Sequence, residues 1–133
     1  MSSVPLEPWK IMPNATFSAV LICLDDEGNE INITGCKARM DFKITAGTKN
    51  QPLFSLTDTD GLTLAGEDAV VGTTTYHNGV VRVIVTPEKA ALTEGLKGCA
   101  DLLIRLSDDS VYRVYIPPRA WIAQASVTPA VFS

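Results

Sequence analysis

Residues 36–44 read Cys-Lys-Ala-Arg-Met-Asp-Phe-Lys-Ile, and no other stretch of the chain limits its fold so tightly. Cys36, Ala38, Met40, Phe42 and Ile44 alternate with Lys37, Arg39, Asp41 and Lys43. A strict period of two fits a strand with one buried and one wet face, whereas a helix would scatter these charges around its circumference. The segment predicts a β-sheet packed on one side.

Strand-like runs of the same kind fill the rest of the chain. Thr16–Leu24, Ile31–Ile33, Leu53–Leu56, Leu62–Leu64, Val80–Val85, Cys99–Leu106, Val111–Ile116 and Ala120–Val127 are the expected strands, with Val70–Val71 and Thr73–Thr75 beside them. Turns rich in Gly, Asp and Asn separate them. Gly28 is expected at positive φ in the turn after Asp25, Thr34-Gly35 bends the chain so that the strands on either side lie together, and His77-Asn78-Gly79 reads as a tight hairpin. Thr86-Pro87 suits a helix cap and first position, so one short helical turn is expected near 87–94, ended by Gly95. Pro117-Pro118 interrupts the ladder. The expected fold class is all-β, with this many short strands and turns favouring a two-sheet antiparallel sandwich over a barrel.

The first 15 residues differ. Pro5, Pro8 and Pro13 exclude a helix interior or a central strand. Residues 1–15 are therefore expected as an extended N-terminal arm, followed by a β-sandwich domain over 16–133. Trp9, Ile11 and Met12 on that arm either cover the domain's own core or dock on a neighbouring subunit.

With 133 residues the chain can bury one real core without crosslinks. It holds 11 Lys+Arg against 15 Asp+Glu, a net charge of -4, which argues against nucleic-acid binding as the main role. No apolar run is long enough to span a membrane, and the amino terminus lacks a basic region followed by an apolar core. Without such a leader, Asn14-Ala15-Thr16 and Asn32-Ile33-Thr34 are chance matches to the glycan acceptor pattern. Cys23, Cys36 and Cys99 are odd in number and lack C-x-x-C spacing, so they are expected reduced and buried.

Chemistry is sparse. His77 is the chain's one histidine and lies in a turn, so a hydrolytic triad is not expected. The acidic pairs Asp25-Asp26, Asp58/Asp60 and Asp108-Asp109 occupy turns for backbone reasons and match no calcium loop. No phosphate loop or dinucleotide motif is present. No cofactor, no metal and no enzymatic activity are expected. Recognition by surface shape remains, with the residues around Trp9, the Tyr76-His77 turn, Tyr115 and Trp121 as candidate protein contacts.

The run Asp-Asp-Glu-Gly-Asn-Glu-Ile-Asn-Ile-Thr-Gly-Cys-Lys-Ala-Arg-Met-Asp-Phe-Lys (25–43) resembles the opening of a family of small bacteriophage structural domains, in which an Asp-x-x-Gly turn, a Thr-Gly segment and an alternating strand with a central arginine follow one another. Gly-Leu-Thr-Leu (61–64), Val81 to Leu92 and the closing strands are similar to the remainder, with Ala100-Asp101-Leu102 where Tyr-Asp-Leu is usual, an acidic turn at Ser107-Asp108-Asp109, and Val127-Thr128 at the end. Ala100 in place of the aromatic and Pro117-Pro118 in place of a glycine depart from the pattern. Relatives include the N-terminal domain of baseplate upper proteins and small tail or head accessory proteins. The resemblance implies an immunoglobulin-like virion protein without catalytic residues, made in the host cytoplasm, that packs on other virion proteins in a tail or baseplate and forms a homo-oligomer, a dimer or trimer. A capsid decoration protein is the alternative, and a soluble module binding a protein or glycan is the alternative of another class.

Overall fold

The computed structural model describes residues 8–44, 51–113 and 119–123. Among them the chain is all-β, with eleven strands and one short helix. The alternating stretch forms β3 (Lys37–Lys43), where Ala38, Met40 and Phe42 are buried and Lys37 and Arg39 are exposed. It lies between β4 (Phe54–Thr57) and β9 (Lys97–Arg105) in a six-stranded sheet. Seven antiparallel register pairs, from Lys37↔Arg105 to Lys43↔Cys99, join β3 to β9. The other edge of β9 is shared by β10 (Val111–Arg113) and β11 (Arg119–Ala123), each holding a different half of it.

A second sheet holds three strands in the order β2 (Phe17–Ile22), β8 (Val80–Val85) and β5 (Leu62–Leu64). Its inward residues, Leu21, Val81, Val83, Val85 and Leu62, enter the same buried cluster as Met40, Phe42, Leu56, Leu102 and Ile104 of the larger sheet. The short helix α1 (Pro87–Ala91) follows β8 and is started as expected. Thr86 Oγ1 accepts a hydrogen bond from the Lys89 N–H at 3.4 Å, and proline fills the first turn. Beyond it, Thr93 is fully buried and donates to the Ala90 carbonyl at 2.6 Å. Gly95 leaves the segment at φ 73°.

Four expectations change. Residues 9–11 are not an arm: they form β1 (Trp9–Ile11), which pairs in parallel with β11 through Trp9↔Trp121 and Ile11↔Ala123. One pair is therefore parallel in a fold otherwise paired antiparallel among its described strands. Pro8 and Pro13 flank β1 without interrupting it, which is compatible with a short strand at a sheet edge. Ile31–Ile33 is not a strand. The Ile31 N–H donates to the Cys23 carbonyl and the Ile33 N–H to the Asn78 carbonyl as the chain passes from the small sheet to the large one. There is thus no strand here to lie beside β3 across Thr34-Gly35, and β3 pairs with β4 and β9 instead.

His77-Asn78-Gly79 does not close a hairpin. β7 (Thr74–Tyr76) turns back at Gly72 onto β6 (Ala69–Val71), and β8 pairs elsewhere. Gly79 is required by close approach instead: a Cβ there would lie 2.8 Å from the Ile31 carbonyl and 2.9 Å from the Cys23 carbonyl. Finally, only Cys23 is buried, while Cys36 and Cys99 are half-exposed; all three are free thiols.

Gly98 sets the spacing where β3 ends. A Cβ at this position would run into the Lys43 carbonyl oxygen and sit 2.9 Å from the Ile44 Cα, both backbone atoms that cannot rotate away. Gly98→Ala is expected to lower stability by about 1–3 kcal/mol through overpacking at the end of the β3–β9 seam. Urea denaturation followed by tryptophan fluorescence measures it, and an unchanged midpoint would show that the strand ends part freely.

Candidate interaction surface

Inward alternation on one side of the six-stranded sheet leaves its other side wet, and register decides which wet residues meet. Lys37 lies opposite Arg105, and Arg105 opposite Val111. In the next outward row Thr57, Arg39, Leu103 and Arg113 run across four strands. The row after that aligns Ser55, Asp41 and Asp101. At the far end Lys97, Ile122 and Lys10 are neighbours across β9, β11 and β1. Lys43, opposite Cys99, completes the face. Outward strand positions thus carry seven of the chain's 11 basic residues and two of its 15 acidic ones.

The two carboxylates tie down the middle of the face. Asp41 Oδ1 accepts from Arg39 Nε at 2.8 Å and from Ser55 Oγ at 2.6 Å, while Arg39 Nη2 also donates to Ser55 at 3.2 Å. Arg113 Nη1 lies 3.4 Å from Asp101 Oδ2. Asp41 and Asp101 face one another directly, an arrangement that costs energy unless cations stand beside both, as they do here.

The Lys37 end is compensated less fully. Lys37 Nζ is 3.7 Å from Asp58 Oδ2 with its own side chain 74% exposed, so the pair is worth little. Asp58 serves chiefly the backbone: its Oδ1 accepts from the Ala38 N–H at 3.0 Å. That bond, with Lys37 behind it, holds the Asp58 carboxyl below its ordinary 3.8 against the opposing effect of burial. Arg105 is exposed and has no ion pair among the described residues. Lys37, Arg39 and Arg105 rim a concavity of about 300 Å³, with Ala38, Leu103 and Val111 as its apolar lining. Val111 is 59% exposed. Cations around an apolar floor suit a carboxylate carried on a protein surface.

The candidate contacts read from sequence do not gather into one patch. Trp9, Ile11 and Trp121 are buried in the chain's own core, which corrects their assignment as contacts. Trp9 packs 5.3 Å from Phe17 and 6.3 Å from Phe42 between ring centroids, and the Arg119 guanidinium lies 5.2 Å from its ring. Both tryptophans of the chain thus place their large apolar surfaces in its own core. Met12, just past β1, is 42% exposed. Tyr76 is half-buried at the end of β7. Tyr115 lies outside the described residues.

His77 is exposed, with Nδ1 2.6 Å from Asp68 Oδ1. Its turn is anchored from across the chain: Glu30 Oε2 accepts from the His77 and Gly79 N–H groups at 2.8 and 2.9 Å. These contacts hold a loop in place. Among the described residues no group of three or more His, Cys, Asp or Glu side chains is placed to hold a metal ion, and no helix is long and apolar enough to cross a membrane.

Half of this outer face is legible in the sequence. The wet side of β3 named Lys37, Arg39, Asp41 and Lys43, but nothing local said that Arg105, Leu103 and Asp101 stand opposite them. No protein-family model matches the chain, and no curated protein matches it.

Two measurements check this geometry. Glu30→Ala leaves two backbone donors without their acceptor and is expected to destabilise the fold by about 1–3 kcal/mol, read from chemical denaturation; a loss no larger than for an exposed glutamate would show that water replaces the carboxylate. Asp58, with its folded pKa lowered from 3.8, binds fewer protons than the unfolded chain just below that pH. Its stabilisation is present above 3.8 and is lost as pH falls through the folded value. Asp58→Asn is expected to flatten the acid limb of the stability profile, and a carboxyl titrating at 3.8 or above by NMR would refute the assignment.

Proposed function

We propose that this chain is a non-enzymatic structural protein of a bacteriophage particle, an immunoglobulin-like β-sandwich that packs on neighbouring virion proteins in a tail or baseplate. One observation carries the proposal. The segment 25–43, which bears the resemblance to phage structural domains, forms an acidic turn, a glycine bend and an alternating strand in that order. Asp25 Oδ1 accepts from the Glu27 and Asn29 N–H groups at 2.9 and 2.8 Å, closing the acidic turn with Gly28 at φ 86°. Gly35 turns the chain at φ 75°, and β3 follows in the interior of the larger sheet with Arg39 outward. Two sheets feeding a common core support the sandwich assignment.

Such a protein works by rigidity and repetition. Made in the host cytoplasm, it would present a fixed surface many times over, so that contacts weak in one copy hold the particle together. Its partners are other virion proteins and further copies of itself, without nucleic acid, membrane or cofactor.

Mass spectrometry of density-purified particles from cells expressing the epitope-tagged chain tests this. The chain is expected in fixed stoichiometry with the structural proteins, and gold-labelled antibody is expected on the tail or baseplate. Label on the head would move the assignment to capsid decoration. Recovery of the chain only in the particle-free host extract would overturn the proposal in favour of a soluble binding module.

A further inference from the structure

The outer face of the large sheet is cationic in a chain of net charge -4, so the rest of the chain must be strongly acidic: four basic residues remain there against 13 acidic ones. A second copy therefore offers this face an oppositely charged surface. The segregation also has a local cost. Lys37 and Arg105 stand directly opposite one another across β3 and β9, which is destabilising for like charges, and Arg105 has no counter-ion among the described residues. An anion arriving from outside removes that cost.

We propose that the concavity rimmed by Lys37, Arg39 and Arg105 receives the acidic turn 25–29 of a second copy of this chain. The proposal rests on the assembly function above and names its contact. The turn is suited in shape and charge. It projects beyond the antiparallel bridge Leu24↔Glu30, and Asp25, Asp26 and Glu27 are all exposed. Its backbone is fixed before contact by the Asp25 carboxylate and by the Gly28 N–H bond to the Asp25 carbonyl at 3.0 Å, so little ordering entropy is lost on docking. Tyr112 Oη donates to the Leu24 carbonyl at 2.9 Å and ties the base of the turn to β10. On the receiving side, Leu103 and Val111 supply apolar contact that a purely ionic site would lack.

Complementary charge reversal tests the contact on the full chain. Sedimentation velocity of the wild type is expected to show self-association whose dissociation constant rises at least about tenfold between about 50 and 500 mM NaCl, as screening shortens the reach of the charges. Lys37→Glu/Arg105→Glu and Asp26→Lys/Glu27→Lys each reverse only exposed side chains, and far-UV circular dichroism confirms that both fold. Each variant alone is expected to be monomeric at concentrations where the wild type associates. Mixed in equal amounts they are expected to form complexes containing both, because reversed turn and reversed rim again attract. Oligomers that survive both reversals overturn this contact and leave the assembly function standing. A wild type that stays monomeric at every concentration and salt also overturns it, and particle composition then decides the assembly function separately. So does a mixture that remains monomeric.

Discussion

The pairing of β3 with β9 is the constraint on which the rest of the structure depends. Every other strand of the large sheet attaches to one of these two or follows from one that does: β4 to β3, β10 and β11 to β9, and β1 to β11. The same register delivers Met40 beside Leu102 and Phe42 beside Ala100 on the inner face. A slip of one residue would send Lys37, Arg39, Asp41 and Lys43 into the core, and burying unpaired charge is far more costly than any packing gained. The alternation of β3 is therefore both the cause of the sheet and the reason it has a single register.

Packing then recruits segments whose local sequence would not choose a strand. Phe42 stacks 4.5 Å from Phe54, and Trp9 sits against Phe42 and Phe17, so the aromatic cluster spans both sheets and the amino-terminal segment. A three-residue strand such as β1 has little stability of its own. What holds it is the burial of Trp9 and Ile11, with β11 supplying the backbone partners. The edge of the sheet is closed by the chain's first and last described strands, which links the integrity of the core to residues that looked like an appendage.

How far the fold was legible follows from these dependencies. Strands whose sequence alternates or runs apolar, β2, β3, β4, β5, β8 and β9, were visible because each residue's side is decided locally by hydrophobicity. The cap at Thr86-Pro87 and the Gly28 turn were visible because backbone chemistry alone dictates them. β1 was not, since its partner lies at the other end of the described chain and prolines flank it. The Asn78-Gly79 pair misled because its glycine answers to tertiary crowding: Gly79 fits beneath the Ile31 and Cys23 carbonyls, and the Glu30 carboxylate does the work assigned to a hairpin turn. The outer surface was the least legible part. Half of it was written plainly in Lys37, Arg39, Asp41 and Lys43, yet its character depends on Arg105, Leu103 and Asp101, which only register brings alongside.

That character is the part of the structure stability does not account for. A sheet face needs polar residues to stay wet, but it does not need seven cations and two carboxylates in a chain that is acidic as a whole. Interspersed signs would keep the same face soluble without setting Lys37 against Arg105. Across the middle rows the cost is met internally, by Asp41 with Arg39 and Ser55 and by Asp101 with Arg113. At the Lys37 end Asp58 leaves it only partly met, because its best hydrogen bond goes to the Ala38 backbone. The fold thus satisfies its charges in one place and leaves them exposed around an apolar hollow a few residues away, and that unmet charge is what the proposed docking of turn 25–29 from a second copy would complete.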